Sequence, residues 1–521
     1  MKLKGVCVHH DGGCLGAAMT AEVWERRLLS LKEMGCNAIR TSHNPHMPEL
    51  YDLCDRLGFL MMGEAFDEWE NAKNKWSTGH NVYPPRHQGY FEDFPQWHER
   101  DLADMILRDR NHPSVILWSI GNEIDYPNDP YCHPLFSEMT GNNDANKPAA
   151  ERQYNPDKPN MERLAPIAAH LAEIVRRYDT TRPVTLAAAF PELSSRLHYF
   201  DALDVVGYNY KEHLYEEDHR RFPSLPFLGS ENGHGLKEWK AVTENDYISG
   251  QFLWTGIDYL GEAHGWPIHG SSAGLLTLAG FPKNRYYRRQ SFWLDAPVLH
   301  LSTARYTGDV TEYLHASDCW NYEDGEQILV RCYTNLPSAE LFVNGRSMGR
   351  KEGLNEEGSM DWIVPFEAGE LRVEGYPESG DAEPVTFLLN TVGEPERLLL
   401  NRWASPEWIP GVLKTLPDDA ASQAADSMTG YVEQIEISLA DHDGNVAVHR
   451  DVPVTVSVSG PGVLLGLESG NLADNTPYSE PVRSTMDGRL IAYVRRTGAG
   501  SVLVTVHAEG CEEASIRLTE D

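Results

Sequence analysis

Apolar residues in roughly the first 300 positions follow a strand-then-helix rhythm. Residues 115–120 form a continuous apolar run rich in β-branched and aromatic side chains, which is typical of a strand buried on both faces. Residues 164–178 instead place apolar side chains at helical spacing and predict an amphipathic helix. By the same patterns we expect strands at residues 4–9, 37–40, 59–63, 115–120, 184–188, 205–207, 226–229 and 251–254.

The succession of eight strand–helix units predicts an α/β fold, a (β/α)8 TIM barrel, because alternating strands and helices build a closed parallel sheet. After residue 301 the pattern changes to short strands with alternating apolar and polar residues. Asn344-Gly345 is a strong hairpin signal between two of these strands. Such a pattern predicts β-sandwiches. We therefore expect a barrel over residues 1–303, one sandwich over 304–393 and a second over 394–521.

Two long segments interrupt the barrel rhythm. Residues 68–98 and 258–269 are rich in aromatic and His residues. Long loops within compact domains are usually functional, and aromatic rings at the open end of a barrel suit stacking against the apolar faces of sugars. The alternative is that these rings pack into small cores of their own, since large aromatic residues usually pack. The sequence leaves both interpretations open.

The 521-residue chain carries a formal net charge of −33. This charge argues against nucleic acid and anionic membranes as partners, because phosphate binding needs a basic surface. A neutral or cationic ligand fits better, although an acidic surface alone accounts for the charge. No stretch reaches the roughly 18 consecutive apolar residues that a membrane-spanning helix needs.

Eight cysteines are scattered through the chain. They form neither a disulfide framework nor a Cys-x-x-Cys metal pattern, so we expect most of them to be buried free thiols. Residues 1–13 hold no apolar leader core. We therefore expect a cytoplasmic protein, or a secreted one if a leader has been removed.

Two carboxylates follow predicted barrel strands. Glu123 comes after the fourth strand and Glu231 after the seventh. The carboxyl ends of barrel strands share one rim, where active sites form. Glycoside hydrolysis needs two carboxylates that flank one bond, one to protonate the leaving oxygen and one to attack or to activate water. A lone Gly-Asn-Glu can equally cap a helix, so the pairing of Glu123 with Glu231 carries the prediction.

Further polar and aromatic side chains fall at the same strand ends, namely His9, Arg40, His43, Asn122, Tyr208, Tyr210 and Trp254. Arg40 can hold a neighbouring carboxylate ionised, as a nucleophile requires. Asn122 can donate to a sugar hydroxyl, and Trp254 can form a stacking floor. Each residue alone has a structural interpretation as a core side chain or an ion pair. Their convergence on one rim favours a functional one.

Four segments together resemble glycoside hydrolase family 2, the β-galactosidase and β-glucuronidase group. They are residues 37–45 (NAIRTSHNP), 111–123 (NHPSVILWSIGNE), 226–233 (PFLGSENG) and 251–259 (QFLWTGIDY), in the order and spacing of the family. Residues 311–392 resemble the β-sandwich that follows the barrel in many bacterial members, and residues 430–519 resemble a further immunoglobulin-like module. The resemblance thus implies a TIM barrel followed by two immunoglobulin-like β-sandwich domains.

By that resemblance Glu123 is the general acid/base and Glu231 the nucleophile of a retaining double displacement. Asn122 and Arg40 match the active-site Asn and Arg of the family. The substrate-pocket positions of the family are matched by His9, His43, Tyr208 and Trp254, with Tyr210 competing for the place of Tyr208.

The chain departs from the family at its start. Members normally carry a sugar-binding jelly roll and an immunoglobulin-like domain before the barrel, whereas this sequence begins on the first predicted strand. Either the protein lacks those domains or the sequence is a truncated form. In the family they can supply part of the pocket and the oligomer contacts, so substrate preference and homo-oligomerisation stay open.

Two further departures concern the substrate and a metal. β-Glucuronidases carry an Asn-x-Lys that binds the substrate carboxylate, whereas this chain has SSA at residues 271–273, which favours a neutral sugar. Glu68 matches a magnesium-ligand Glu of some galactosidases, where Glu123 would share the ion, but Glu70 stands where they have His. We expect no required cofactor, because retaining hydrolysis needs no metal.

The lead expectation is a retaining exo-glycosidase that hydrolyses terminal non-reducing β-D-galactosides of an oligosaccharide or another glycoside. The first alternative is another neutral glycoside, such as a β-galactofuranoside, an α-L-arabinofuranoside or a β-fucoside, while β-glucuronidase activity is disfavoured by the missing Lys. An alternative outside the class is a catalytically weak carbohydrate-binding protein, against which the paired carboxylates argue.

Overall fold

A computed structural model describes residues 1–73, 89–126, 129–135, 154–263, 265–308, 316–378, 383–404 and 430–519. The chain forms two compact units. Unit 1 comprises residues 1–10, 36–256 and 261–273, and unit 2 comprises residues 11–35, 257–260 and 274–521.

Unit 1 contains a closed barrel of eight parallel strands in sequential order. The strands are β1 Leu3–Val8, β2 Ala38–Thr41, β3 Leu60–Glu64, β4 Val115–Asn122, β5 Val184–Ala188, β6 Val206–Asn209, β7 Phe227–Asn232 and β8 Ile248–Leu253. Because β1 pairs with both β2 and β8, the sheet has no free edge. The predicted barrel is confirmed, and every strand predicted from an apolar run overlaps an observed one. Two short strands follow along the chain, β9 Tyr259–Leu260 in unit 2 and β10 Gly270–Ser271 in unit 1.

Apolar side chains fill the barrel interior. Cys7, Met62, Leu117, Leu228 and Phe252 come from five strands and form one buried cluster. Parallel strands that are covered on both faces need apolar residues on both, which explains why their sequences are continuous apolar runs. A packed interior leaves the strand ends as the place for polar chemistry.

The helices of unit 1 are α2 Pro48–Leu57, α3 Phe94–Asp109, α4 Leu164–Tyr178, α5 Pro191–Ser194, α6 Tyr215–Arg221 and α7 Leu236–Thr243, and unit 2 holds α1 Ala21–Glu33 and α8 Asn284–Trp293. Helix α2 begins at Pro48, whose fixed φ suits a first turn. Gly58 ends it in the left-handed region at φ 75°, as a helix-terminal Gly commonly does. None of the described helices is long and apolar enough to cross a membrane.

Unit 2 holds two β-sandwiches. The first consists of β11 Leu299–Arg305, β12 Gln327–Thr334, β13 Ser338–Val343, β14 Arg346–Glu352, β15 Met360–Pro365, β16 Glu370–Tyr376 and β17 Val385–Asn390. Its sheets, β11-β12-β15 and β14-β13-β16-β17, share one apolar core. Asn344 and Gly345, both at positive φ, form the predicted hairpin turn between β13 and β14.

The second sandwich consists of β18 Arg397–Trp403, β19 Val432–Ala440, β20 Pro453–Ser459, β21 Gly462–Glu468, β22 Val482–Ser484, β23 Arg489–Arg496, β24 Val502–Ala508 and β25 Ala514–Leu518. Its sheets are β18-β19-β23-β21 and β22-β20-β24-β25. Ile435, Ile437, Val504 and Val506 are among the alternating residues that form the core between the sheets. The other face of β18, β19 and β23 carries polar and aromatic side chains, among them Asn401, Trp403 and Glu436.

Candidate active site

Five polar side chains lie at the carboxyl ends of the barrel strands. Arg40 is near the end of β2, Glu64 ends β3, Asn122 ends β4, Asn209 ends β6, and Glu231 is one residue before the end of β7. Parallel strands bring these ends to one rim. All five residues are at most 5% exposed. Buried polar groups of this kind must satisfy one another.

Arg40 is the centre of this network. Its Nε and Nη2 donate to the two oxygens of Glu64 at 3.1 and 2.9 Å, in the bidentate geometry that a guanidinium favours. Its Nη1 donates to Oε2 of Glu231 at 3.0 Å, and its Nη2 donates to Oδ1 of Asn122 at 2.9 Å. One buried cation therefore fixes two carboxylates and an amide.

Glu64 keeps its charge although it is fully buried. Burial opposes ionisation, but Arg40 and His43 outweigh it and lower the pKa of Glu64 to about 2. The Ser119 hydroxyl donates to Glu64 at 2.7 Å, and Nδ1 of His43 lies 2.6 Å from Oε1. Glu64 thus balances the charge of Arg40 and orients the His43 ring.

Asn209 links the two predicted catalytic carboxylates. Its Nδ2 lies 3.2 Å from Oε1 of Glu123 and 3.1 Å from Oε2 of Glu231. Its Oδ1 accepts a hydrogen bond from the Ser230 hydroxyl at 2.7 Å, which fixes the orientation of the amide. The carboxylates of Glu123 and Glu231 therefore face one amide nitrogen.

The two carboxyl groups influence each other's ionisation. Burial is the largest influence on Glu231 and, with the charge of Glu123, raises its pKa to about 7. Arg40, His43 and the Tyr210 hydroxyl act in the opposite direction. Because the groups interact, they titrate as a pair, and the pair retains one proton up to about neutral pH.

Two tyrosines near the end of β6 have different surroundings. Tyr208 is fully buried, donates its hydroxyl to Asp218 at 2.7 Å and packs edge-on against Phe227. Tyr210 is hydrogen-bonded to Glu231 through its hydroxyl, and the residue as a whole is 42% exposed. The expectation that Tyr208 lines the pocket is wrong, because its side chain leaves the strand on the face opposite to Asn209. Tyr210 is the tyrosine at the carboxylates.

Trp254, His43 and His9 form an aromatic wall at the same rim. Trp254 follows β8 directly and stacks on His43, with ring centroids 5.2 Å apart and an interplanar angle of 5°. His9 meets the Trp254 ring edge-on at 5.1 Å. Burial, with the neighbouring His43, lowers the pKa of His9 well below its usual range, so this ring is neutral at neutral pH. A stacked pair of rings can support the apolar face of a sugar.

A second charge pair adjoins Asn122. Lys73 Nζ donates to Oδ1 of Asp67 at 2.8 Å and to the backbone oxygen of Asn122 at 2.6 Å. Nδ2 of Asn122 donates to the same Asp67 oxygen at 2.9 Å and lies 3.2 Å from Nε2 of His43. The Asp67 side chain is 19% exposed and that of Lys73 only 2%. This edge of the site presents a carboxylate whose charge a buried ammonium balances.

Glu68, the magnesium candidate, binds the backbone through one of its two oxygens. Its Oε1 accepts from the N–H of Lys73 at 2.9 Å, and the neighbouring Glu70 is bound through both oxygens to Arg163, at 2.7 and 2.8 Å. The other oxygen of Glu68, Oε2, is buried and has no hydrogen-bond partner among the described residues, whereas both oxygens of Glu70 are occupied. Within the described ranges, the side chains close enough together to share an ion are Asp52, Asp55 and His112, on α2 and before β4.

The predicted aromatic segments are described only in part. Trp76, His80, Tyr83, His87 and His264 lie outside the described residues. In the described part, Trp69 is fully buried and packs against Phe94 and Tyr199, so these rings form a small core. Trp266, by contrast, is 71% exposed.

The sequence patterns did not single out Asn209, Asp67 or Lys73. Asn209 could have been found, because it lies two residues after a predicted strand as Asn122 does. Asp67 and Lys73 carry no such signal, since only the path of the chain after β3 brings them to Asn122.

Comparison with known families decides what kind of barrel this is. Residues 1–264 match the model described as glycosyl hydrolases family 2, TIM barrel domain. The chain belongs to glycoside hydrolase family 2. Residues 418–517 match glycoside hydrolase family 2 C-terminal domain 5, and residues 325–382 match a domain of unknown function.

Two curated relatives of this family 2 chain carry the names of different glycosidases. It is 34% identical to β-galactosidase BoGH2A of Bacteroides ovatus over 571 residues, which cover 100% of the chain and 61% of that protein. It is 29% identical to a putative β-glucuronidase of Formosa agariphila over 95% of the chain and 46% of that protein. The chain therefore spans less than two thirds of the length of these relatives.

Solved structures of the family share its architecture. A glycoside hydrolase family 2 member from Bacteroides cellulosilyticus superposes with a TM-score of 0.80 at 29% identity, covering 100% of this chain and 62% of that one. A β-glycosidase from Bacteroides vulgatus has a TM-score of 0.74 at 25% identity, covering 100% and 64%.

Proposed function

We propose that this family 2 protein is a retaining exo-glycosidase that removes terminal non-reducing β-D-galactosyl residues. The bridge from Nδ2 of Asn209 to Glu123 and Glu231 carries the proposal. Two oxygens within 3.2 Å of one nitrogen are no farther apart than twice that distance. Inverting glycosidases separate their carboxyl groups by roughly 6.5–9.5 Å and retaining ones by roughly 5–5.5 Å. The two facing oxygens therefore lie closer together than the inverting range, which favours a retaining mechanism.

The surroundings of the two carboxyls assign their roles. Arg40 donates to Glu231 at 3.0 Å, and the Tyr210 hydroxyl also binds Glu231, so both stabilise its ionised form. These donors favour Glu231 as the ionised member of the pair, and we therefore assign the proton to Glu123. An ionised Glu231 suits a nucleophile, and a protonated Glu123 suits a general acid.

The reaction follows from these roles. In the first half, Glu231 bonds to the anomeric carbon while the glycosidic C–O bond breaks and Glu123 gives its proton to the leaving oxygen. In the second half, Glu123 takes a proton from water, whose oxygen attacks the anomeric carbon and releases Glu231. The sugar leaves with its anomeric configuration retained, and both carboxyls return to their starting states.

The charge of the rim supports a neutral sugar. Besides Arg40, Lys73 is a second cation beside Asn122, but Asp67 is bound to it at 2.8 Å and neutralises it. A uronate would have to compete with Asp67 for Lys73 near two further carboxylates, whereas a hydroxyl can donate to Asp67 directly. The similarity to the β-galactosidase of Bacteroides ovatus points the same way.

A second candidate is β-glucuronidase activity. It is favoured by the names of the Formosa agariphila and Bacteroides fragilis relatives and by the presence of Lys73 at the rim. The Asp67–Lys73 pair makes it the weaker candidate. Other neutral glycosides, such as β-fucosides and α-L-arabinofuranosides, stay within the lead mechanism.

We propose that the reaction requires no metal. The two carboxylates supply the nucleophile and the proton that each step needs. Oε1 of Glu68 accepts a backbone N–H, and both oxygens of Glu70 bind Arg163. Hydrolysis should therefore be unchanged by EDTA, and a loss of rate that magnesium restores would contradict this.

The experiment that tests the proposal is hydrolysis of a panel of p-nitrophenyl glycosides, with the Glu231→Gln variant as the blank. The panel contains the β-galactopyranoside, β-fucoside, β-galactofuranoside, α-L-arabinofuranoside and β-glucuronide. We expect the highest kcat/KM on the β-galactopyranoside and no turnover by the variant. Preference for the glucuronide would overturn the assigned sugar, and turnover of nothing would overturn the enzymatic function.

A further inference from the structure

Unit 2 contains a cavity of about 340 Å³ that the proposed reaction does not use. It is bounded by one face of helix α1, by the loop at residues 280–282, and by the outer face of strands β18, β19 and β23. All of its lining residues belong to unit 2. Its volume lies at the small end of the roughly 300–1,000 Å³ range of ligand pockets, which suits one sugar unit.

The floor of the cavity is a row of cross-strand neighbours. Asn401 on β18 lies opposite Glu436 on β19, and Glu436 lies opposite Ile491 on β23. Because side chains alternate along a strand, Trp403 projects on the same face as Asn401, two residues along β18. An aromatic ring, an amide and a carboxylate therefore line one continuous surface.

The wall on α1 is rigid. Arg26 is buried, its Nε donates to Oε1 of Gln434 at 3.1 Å, and its Nη2 donates to the backbone oxygen of Ala279. These bonds tie α1, the loop before residue 280 and β19 together. The walls are thus held in place without a ligand. Binding to such a site loses little conformational entropy, because few protein groups have to be ordered.

Polar groups of the cavity have capacity for a ligand. The Nε of Arg489 is buried and has no hydrogen-bond partner among the described residues. Buried donors are normally satisfied, so an unsatisfied one that lines a cavity points to a bound polar group. Glu436 is half-buried, and Asn401 is exposed.

The charges of the lining balance. The lining contains two cations, Arg26 and Arg489, and two carboxylates, Glu33 and Glu436, so neither an anion nor a cation is favoured. Donors and acceptors side by side suit hydroxyl groups, which both donate and accept. The face of Trp403 suits the apolar face of a pyranose.

We propose that this cavity is a second carbohydrate-binding site, which takes one neutral sugar unit of a glycan chain. Trp403 supports the ring, and Asn401, Glu436 and Arg489 bind its hydroxyls. The site holds polymeric substrate and takes no part in bond cleavage. It is therefore independent of which terminal sugar the barrel removes.

Native gel electrophoresis with a soluble polysaccharide in the gel tests the proposal. The probes are arabinogalactan and galactomannan as neutral glycans and polygalacturonate as an acidic one. All proteins carry Glu231→Gln, so the polymer is not consumed. We expect a neutral glycan to retard the protein and Trp403→Ala to weaken that binding about 3- to 10-fold, the value of one aromatic stacking contact.

Leu399→Ala is the matched control, because Leu399 is an exposed residue on the same face of β18 that does not line the cavity. It should bind as its parent does. In the otherwise wild-type enzyme, Trp403→Ala should leave kcat/KM on a p-nitrophenyl glycoside unchanged.

Equal retardation of Trp403→Ala and Leu399→Ala would overturn the proposal, as would no retardation by any neutral glycan. Binding to polygalacturonate that Trp403→Ala abolishes would overturn the neutral ligand class. Because the readout is binding by an inactive variant, these outcomes differ from a failure of the proposed hydrolysis. Circular dichroism and a thermal melt establish that Trp403→Ala is folded.

Discussion

The barrel rim and the cavity of unit 2 use polar residues in opposite ways. At the rim, Arg40, Glu64, Asn122, Asn209 and Glu231 are almost fully buried and bind one another. In the cavity, polar side chains are partly exposed, and one buried donor has no protein partner in the described chain. The first arrangement fixes reacting groups in place before substrate arrives. The second leaves hydrogen-bonding capacity for the ligand. At the catalytic rim the polar groups are therefore hydrogen-bonded within the protein, whereas in the binding cavity some of them are left for the ligand.

The largest expected effect is on the nucleophile. Glu231→Gln should lower kcat by about 10³-fold or more, because the amide cannot form the glycosyl ester. The measurement is steady-state turnover of an aryl galactoside, with the fold checked by circular dichroism. Glu70→Gln, which removes a carboxylate that binds Arg163 instead, is the matched control and should keep wild-type turnover. Turnover of Glu231→Gln within tenfold of wild type contradicts the assignment.

A conservative change at Arg40 tests how strongly the network at the rim depends on the planar guanidinium group. Arg40→Lys keeps the positive charge. In the wild type, three guanidinium nitrogens donate to Glu64, Glu231 and Asn122, whereas the variant has a single ammonium nitrogen for these acceptors. We expect kcat to fall by about 10²-fold and the free energy of unfolding by about 1–3 kcal/mol. Arg163→Lys changes an exposed bidentate pair with Glu70 and should cost less than about 1 kcal/mol. The measurements are denaturant melts and steady-state kinetics. Equal losses of unfolding free energy and of kcat in the two variants would contradict the claim that Arg40 fixes the geometry of the rim.

Removal of the bridging amide should have a smaller effect. Asn209→Ala deletes the donor shared by Glu123 and Glu231, and hydrogen bonds to charged groups contribute about 1.5–3 kcal/mol. The corresponding loss in kcat/KM is about 10- to 100-fold. Asn245→Ala removes an amide that binds the Ala241 backbone at a helix end, and its turnover should match wild type. An unaltered kcat/KM for Asn209→Ala would show that the amide of Asn209 has no role in the reaction.

The smallest predicted effect is a shift in pH dependence. In wild type, activity should fall as pH rises through about 7, where the carboxyl pair loses its last proton. The Tyr210 hydroxyl lowers the pKa of Glu231, so Tyr210→Phe should raise the pH at which Glu231 becomes protonated. If Glu123 holds the shared proton, this moves the acidic limb of the kcat/KM profile up by about 0.5–1 unit and leaves the alkaline limb in place.

Tyr208→Phe is the control for that profile, because its hydroxyl binds Asp218 and not the carboxyl pair. It should leave both limbs unchanged. A shift of the alkaline limb in Tyr210→Phe would instead place the shared proton on Glu231 and reverse the proposed roles.

The fold was predictable from the sequence because the barrel strands contain short apolar runs that are followed by polar or turn residues. The strand at residues 184–188 was predicted with its observed bounds. The carboxylates at the ends of β4 and β7 followed from the rule that strand ends share a rim. These features depend on local pattern alone.

The roles at the end of β6 could not be predicted, because they depend on register. Tyr208, Asn209 and Tyr210 are consecutive, and strand alternation sends the first two to opposite faces. The pairing with β7 shifts between Tyr208 and Asn209, and Tyr210 has φ of 55°, so local pattern does not indicate which side chain reaches Glu231. The cavity was likewise invisible, since Arg26 and Arg489 are distant in sequence and meet only through the fold of unit 2.

The central claim is that Glu231 attacks the sugar in a retaining mechanism. Incubation with 2,4-dinitrophenyl 2-deoxy-2-fluoro-β-D-galactopyranoside, followed by peptide mass spectrometry, tests it most directly. The reagent has a good leaving group and a slowed second step, so a covalent intermediate should accumulate. We expect one fluorogalactosyl group on the peptide that contains Glu231, and none in Glu231→Gln. An adduct on a different residue, or inactivation of neither protein while the wild type hydrolyses galactosides, would contradict it.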